Sequence, residues 1–210
     1  MEDSVWRPLQ NSSQPQVYNF FKEIIMKSKQ LLVIAALSCA FAGSAFAMTK
    51  VEYNTHKDSI SGDYKVSRDK CNSLKANAKD ICVAEAKGAE KVAKAELEEK
   101  YEPSARHTEK VAMAKGDTAY AIAKEKCDDS SGNAKTVCRA DAKAVHVKAV
   151  EEARVMRVGA TAGSVDTGMR NRANKDENEA NYKAATARCD GLAGAAKDTC
   201  TTDAKTKYGM

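Results

Sequence analysis

Small and apolar residues recur at three- and four-residue steps along much of this chain. Cys82, Ala86, Ala89, Ala93 and Leu97 form one such row; Cys138, Ala142, Val145, Ala149 and Met156 form another at steps of three, four or seven. Charges of both signs fill the intervening positions, as in Glu85, Lys87, Glu90, Lys91 and Lys94. This spacing puts the apolar set on one face of a helix and leaves a solvated face supported by i,i+4 charge pairs. Proline rarely sits inside a helix, so Pro103 separates a helix ending at Tyr101 from one beginning at Ser104. Gly159, Gly163 and Gly168 mark a flexible connector between the fourth and fifth helices. The pattern predicts six helices, over 57–73, 78–101, 104–128, 133–157, 170–191 and 195–207.

A longer period overlies the helical one. A tyrosine is followed seven residues later by a cysteine and eleven residues after that by a second: Tyr64, Cys71, Cys82; Tyr120, Cys127, Cys138; Tyr182, Cys189, Cys200. Around each second cysteine runs Ala-Lys-x-x-Cys-x-x-acid-Ala-Lys, over 78–87, 134–143 and 196–205. Such repetition marks a tandem array of supersecondary units, for which three copies are about the minimum that supports itself. In one unbroken helix the two cysteines of a unit would stand about 16 Å apart along the axis, whereas a disulfide needs its Cα atoms within about 4.4–6.8 Å.

Pairing within a unit therefore requires the chain to reverse between the cysteines. Residues 76–77, 132–133 and 194–195 are the expected reversal points. Glycine accepts the left-handed conformation there, Asn77 and Asn133 suit the cap of the following helix, and Asp80 and Asp198 fall in its first turn, where negative charge suits the helix dipole. The predicted bonds are Cys71 with Cys82, Cys127 with Cys138 and Cys189 with Cys200. Each closes a short loop, a contribution of about 2–3 kcal/mol. Each tyrosine lies two turns before its cysteine on the same face and is expected to pack over the disulfide rather than to bind a ligand.

Beyond residue 47 the chain has only 18 Leu, Ile and Val and no Phe in 163 residues, a poverty that ordinarily signals disorder. Alanine reverses that reading, since Ala-, Lys- and Glu-rich segments favour helix and small side chains let helices approach closely. The predicted fold class is therefore all-α: elongated antiparallel helical hairpins in three tandem repeats, each braced by one disulfide. The disulfide loops gather at one end and the Pro and Gly connectors at the other. Repeats 1 and 2 occupy 48–157, a flexible Gly-containing connector 158–169, and repeat 3 residues 170–210.

The amino-terminal region reads as an address. Met26 opens a basic stretch with Lys27 and Lys29, an apolar run covers 31–37, and Ala45-Phe46-Ala47 is an A-x-A cleavage site. This is the pattern of a secretory signal peptide over 26–47, cut after Ala47, and its apolar core is too short for a spanning helix. Residues 1–25 are expected to be a disordered leader ahead of the true start at Met26, with Lys22-Glu23 encoded by a ribosome-binding sequence. Cys39 raises lipid attachment, but Ala36-Leu37-Ser38 lacks the leucine usually found three residues before a lipidated cysteine, so the A-x-A site explains the segment better. Export leaves six cysteines, an even number suited to disulfides in an oxidising compartment.

Loss of residues 1–47 removes four basic and three acidic side chains, leaving 30 against 26. The charges are mixed along the helices with no basic stripe for nucleic acid. The most one-sided patch, Arg154, Arg157, Arg170 and Arg172, is expected to be solvated, though it could touch an anionic surface. No phosphate-binding Gly-rich loop, Gly-x-Ser-x-Gly elbow, His-Glu-x-x-His or Cys-x-x-Cys occurs, and His56, His107 and His146 lie outside metal-ligand spacing with the cysteines. The expectation is no enzyme, no cofactor and no metal.

The segment Cys-Asp-x-x-x-Gly-Asn-Ala-Lys-x-x-Cys over 127–138, its looser copies and the Ala/Lys/Glu helices resemble a group of uncharacterised exported proteins of Gram-negative bacteria, along residues 58–207. Such proteins are sometimes labelled after the envelope-spanning protein of the Tol system. The likeness to that protein is one of composition only, since this chain lacks its retained membrane anchor and carries cysteines its stalk does not need. The resemblance implies a periplasmic helical scaffold or interaction protein whose partner is an envelope protein or surface, without a stable transmembrane span in the mature chain. A redox-responsive or metal-sequestering thiol protein is the alternative.

Overall fold

The computed structural model describes residues 48–210; the leader expected over 1–25, the signal peptide over 26–47 and Cys39 lie outside the described residues. Six α-helices follow one another: α1 (Lys50–Lys70, continued by a 3-10 turn over Cys71–Ser73), α2 (Ala76–Tyr101), α3 (Ala105–Cys127), α4 (Gly132–Ala162), α5 (Thr167–Cys189) and α6 (Gly194–Tyr208). Among the described residues each helix packs only on the helix before it and the helix after it, so the six stand in one open row rather than around a common centre.

Successive helices run antiparallel, and ion pairs trace their register. Lys91 meets Asp117 at 2.6 Å, Glu96 meets Lys115 at 2.8 Å and Glu98 meets Lys110 at 3.2 Å between α2 and α3. Asp128 with Arg139 and Glu109 with Arg157, both at 2.6 Å, do the same between α3 and α4. The exposed pairs among these contribute about 0–1 kcal/mol each, whereas Glu109 is largely buried in its pair with Arg157. All three disulfide loops consequently lie at one end of the row and the connectors at the other.

Local chemistry sets the helix ends. Thr49 and Glu52 form a reciprocal capping box, with the Thr49 N–H donating to the Glu52 carboxylate at 2.8 Å and the Glu52 N–H donating to Thr49 Oγ1 at 3.2 Å. It starts α1 seven residues earlier than the apolar pattern indicates. The Thr49 backbone and hydroxyl hydrogen bonds also hold the Glu52 carboxyl below its ordinary pKa. Ser104 Oγ accepts from the His107 N–H to start α3 just after Pro103. The connector expected over 158–169 is a tight turn of four residues, 163–166. Gly163 ends α4 at φ 69°, and Val165 folds back so closely that a methyl on Gly159 would meet its Cγ2 at 3.1 Å. Gly159 and Gly168 belong to helices.

The core is a chain of small contacts. Its largest fully buried side chains are Cys71, Cys127 and Cys189, and most of the remainder is alanine, including Ala86, Ala114, Ala144, Ala153, Ala180 and Ala184, with Leu97 and Val111 as the bulkiest aliphatics. On α2 the expected row holds at Ala86 and Leu97, while Ala89 is exposed along the groove against α1. On α4 the expected row is wrong at two places: Val145 is 67 % and Met156 53 % exposed. This helix lies between two neighbours and buries two faces, one against α3 that takes Ala149 and His146, and one against α5 that takes Ala140, Ala144 and Val147. A single stripe drawn along it crosses solvent.

Two interfaces between repeats are built alike. Gly88 of α2 lies under Thr118 of α3 so tightly that a methyl on it would fall 2.1 Å from Thr118 Cγ2. Six residues after the second cysteine and nine before the next repeat's first one, the same positions in α4 and α5 are Ala144 and Ala180, which pack together in the core.

Candidate functional site

The six predicted cysteines come together as three pairs within the hairpins. Cys71–Cys82, Cys127–Cys138 and Cys189–Cys200 are disulfides with Cα separations of 5.6, 5.6 and 5.7 Å. Each reversal turns on one residue at positive φ: Ala76 at 48°, Gly132 at 53° and Gly194 at 56°. These are the expected turn positions, although the first repeat uses alanine, for which this conformation costs about 1–2 kcal/mol. The following helices begin at those residues, so Asp80 and Asp198 fall just beyond the first turn instead of inside it.

Asn77 and Asn133 do not cap their own helices; each reaches across to the next repeat. Asn77 Nδ2 donates to the Glu125 carbonyl at 2.7 Å and to Asp129 Oδ1 at 2.8 Å. Asn133, with its amide oriented to satisfy both neighbours, donates to the Ala187 carbonyl at 3.1 Å and accepts from the Gly191 N–H at 3.2 Å. Glu125 and Ala187 both lie two residues before their cysteine; Asp129 and Gly191 both lie two after it. One latch is thus used twice, tying the start of the second helix of a repeat to the disulfide loop of its successor. The last repeat carries Ala195 at this position. The signal lies in the sequence, as an asparagine in repeats 1 and 2 only, but reading it as a latch requires knowing that α2 packs against α3.

A second cluster breaks the repeat. His146 Nε2 lies 2.6 Å from Asp117 Oδ1, and Asp117 Oδ2 receives Lys91 Nζ at 2.6 Å, so one carboxylate joins α2, α3 and α4. The Tyr120 ring stacks on His146 with centroids 4.7 Å apart, and Lys124 and Lys143 place their ammonium groups 5.8 and 5.5 Å from the Tyr120 centroid. Tyr120, expected to pack over its disulfide, has His146 as its stacking partner. His146 Nδ1 is buried without a hydrogen-bond partner. Burial pushes the Asp117 carboxyl up, but hydrogen bonds from His146 and Lys91 outweigh it and hold the group below its ordinary pKa. Repeats 1 and 3 have Ser61 and Glu179 where Asp117 stands, and Glu90 and Tyr208 where His146 stands. Neither residue carries a periodic signal, so the sequence offers His146 only as a metal ligand to be set aside and gives no sign of Asp117.

The resolved carboxyl shifts, at Glu52, Asp117, Asp128 and Glu179, are all downward. An open groove of about 610 Å³ runs between α4 and α5 beside His146, where Lys143, Lys183 and Arg154 balance Glu151, Asp176 and Glu179. Among the described residues no group of three or more His, Cys, Asp or Glu is placed to hold a metal ion, and no helix is long and apolar enough to cross a membrane. The arginine patch divides: Arg154 pairs with Glu151 and Arg157 with Glu109, while Arg170 and Arg172 are exposed. Comparison of the chain with protein-family models, with curated proteins and with solved structures finds no match.

Proposed function

We propose that this chain is a non-enzymatic scaffold of the periplasm, exported by the segment 26–47 and acting as a spacer or interaction module in the cell envelope. The observation that carries this reading is the position of sulfur in the fold: Cys71, Cys127 and Cys189 are the largest fully buried side chains, each bonded to the opposite arm of its hairpin. A row of alanine-faced helices with so little large apolar area depends on those bonds, and thiols stay reduced in the cytoplasm of most cells. The six cysteines beyond residue 47 are all paired, which supports stapling as their chemistry over thiol exchange or metal capture. The row is also long for its mass, since the 31 residues of α4 alone extend about 46 Å. Such a rod presents mixed charge along its flanks and suits contact with an envelope protein or surface.

Thiol trapping of the protein taken directly from cells tests the reading. Complete oxidation under all growth conditions, together with a mature amino terminus at Met48, is the expected result. Labelling that varies with oxidative stress, or metal recovered with the protein, would replace the scaffold by a redox-responsive or metal-sequestering protein.

A further inference from the structure

We propose that copies of this chain join head to tail, the outer face of α6 docking on the outer face of a second copy's α1 and continuing the row of helices in the same repeat register. Both faces are unpartnered among the described residues. On α1, Tyr53, Ile60, Tyr64 and Cys71 turn toward α2, while Gly62 and Val66 lie half a turn away and are exposed. On α6, Cys200 and Ala204 turn toward α5, while Ala195 and Thr206 lie exposed on the opposite side.

The two junctions between repeats within the chain fix which residues would meet. The position six after a second cysteine faces the position nine before the next first cysteine: Gly88 with Thr118, then Ala144 with Ala180. Across two copies these positions hold Thr206 and Gly62, which is the pair of the first junction with its helices exchanged. Nothing within the described chain comes within 4 Å of a Cβ placed on Gly62, so the single copy has no use for a residue this unfavourable in a helix. A threonine opposite supplies one, because at Gly88 the threonine side chain fills the space where a methyl would stand.

Charge and apolar surface match in the same register. Three residues after each second cysteine stands an acid, and directly before the next first cysteine a base: Glu85 and Lys126, Asp141 and Arg188, and across copies Asp203 and Lys70. Asp141 and Arg188 are paired at 2.5 Å, and Asp203 and Lys70 are both exposed in the single copy. Val66, five before its cysteine, occupies the place of half-buried Ile122 and of Ala184 at 4 % exposure, yet is itself 56 % exposed. A junction between two different faces leaves one of each free at the ends, so addition continues beyond two copies. It needs only the repeat register and no assignment of compartment. With 15 residues in α6 against 31 in α4, and Ala195 in place of the latch asparagine, the junction between copies is weaker than those within the chain and forms reversibly.

Sedimentation of the oxidised protein purified from cells, from about 1 µM to about 1 mM, should show a mass that keeps rising past the dimer. Gly62→Thr sets threonine against Thr206 and should abolish association without lowering the melting temperature of dilute protein, since the new side chain meets no neighbour in the single copy. Gly62→Thr combined with Thr206→Gly recreates the first junction and should restore growth. Thr206→Phe, whose ring exceeds the space a glycine leaves, should also give monomer. An equimolar mixture of Gly62→Thr and Thr206→Phe retains one intact face of each kind and should form dimer and nothing larger. Ala195→Asn adds a latch toward the next copy's Asp69 carbonyl and should strengthen association about tenfold while leaving dilute protein unchanged. Protein that stays monomeric throughout the range, growth that stops at the dimer, association that survives Gly62→Thr, or a mixture that remains monomeric would each overturn the proposal.

Discussion

Gly88→Ala isolates the way neighbouring repeats approach one another. In an isolated helix the change would stabilise by about 1 kcal/mol. Here the new methyl would stand 2.1 Å from Thr118 Cγ2 and 3.0 Å from both Thr118 Cβ and Oγ1, well inside the ordinary carbon contact of about 3.5–4.0 Å. Threonine is branched at Cβ and seated mid-helix, so no rotation of its side chain moves Cβ itself, and relief requires α2 and α3 to separate. Overpacking of this kind costs about 1–3 kcal/mol. Because the clash reaches Cβ the upper figure applies, and the net expectation is a loss of about 2 kcal/mol. Thr118→Ala alone should lose about 1 kcal/mol, chiefly the 3.3 Å hydrogen bond from Thr118 Oγ1 to the Gly88 carbonyl. The double variant recreates the Ala144–Ala180 pairing of the other inter-repeat interface and should return close to the parent, a coupling of at least about 1.5 kcal/mol. Urea unfolding of the oxidised proteins, followed by helical circular dichroism, reads all three values. Additive losses, within about 0.5 kcal/mol, would refute the close approach at Gly88.

The left-handed turn residue of the first hairpin gives a test of opposite sign: Ala76→Gly should stabilise by about 1 kcal/mol and Gly132→Ala should destabilise by a similar amount, both read as shifts in the urea midpoint. Removing a latch with Asn77→Ala or Asn133→Ala should cost about 1–2 kcal/mol and speed amide exchange near the disulfide loop of the following repeat, whereas Ala195→Asn should change neither. Asp117 contributes to acid sensitivity. Its folded pKa is depressed, so its stabilisation is complete above its unfolded pKa of about 3.9 and is lost as pH falls through the lower folded value. Asp117→Asn should therefore flatten stability against pH below about 4, measured by thermal unfolding across an acid series.

The hairpins are legible in the sequence because covalent geometry leaves little choice: eleven residues of straight helix cannot join Cys127 to Cys138, and the glycine between them marks the place to turn. The end of α2 is equally plain from Pro103. Helix starts are less so, since the Thr49–Glu52 box lies outside the apolar rhythm that betrays α1. The burial of α4 is obscured for another reason. A helix flanked on both sides has two apolar faces with a charged strip between, and the i,i+3 step from Ala142 leads to exposed Val145 while the i,i+4 step leads to half-buried His146. The polar cross-links leave the weakest trace. Asn77 and Asn133 look like helix caps until the neighbouring helix is known to lie beside them, and Asp117 with His146 occurs in one repeat only, where no periodicity can expose it.

The central claim is that each repeat is a hairpin clamped by its own disulfide, and peptide mapping of the unreduced protein with free thiols blocked at lysis tests it most directly. Fragments joining Cys71 to Cys82, Cys127 to Cys138 and Cys189 to Cys200 are the expected result. Fragments joined between different repeats, or blocked thiols at any of these six positions, would contradict it.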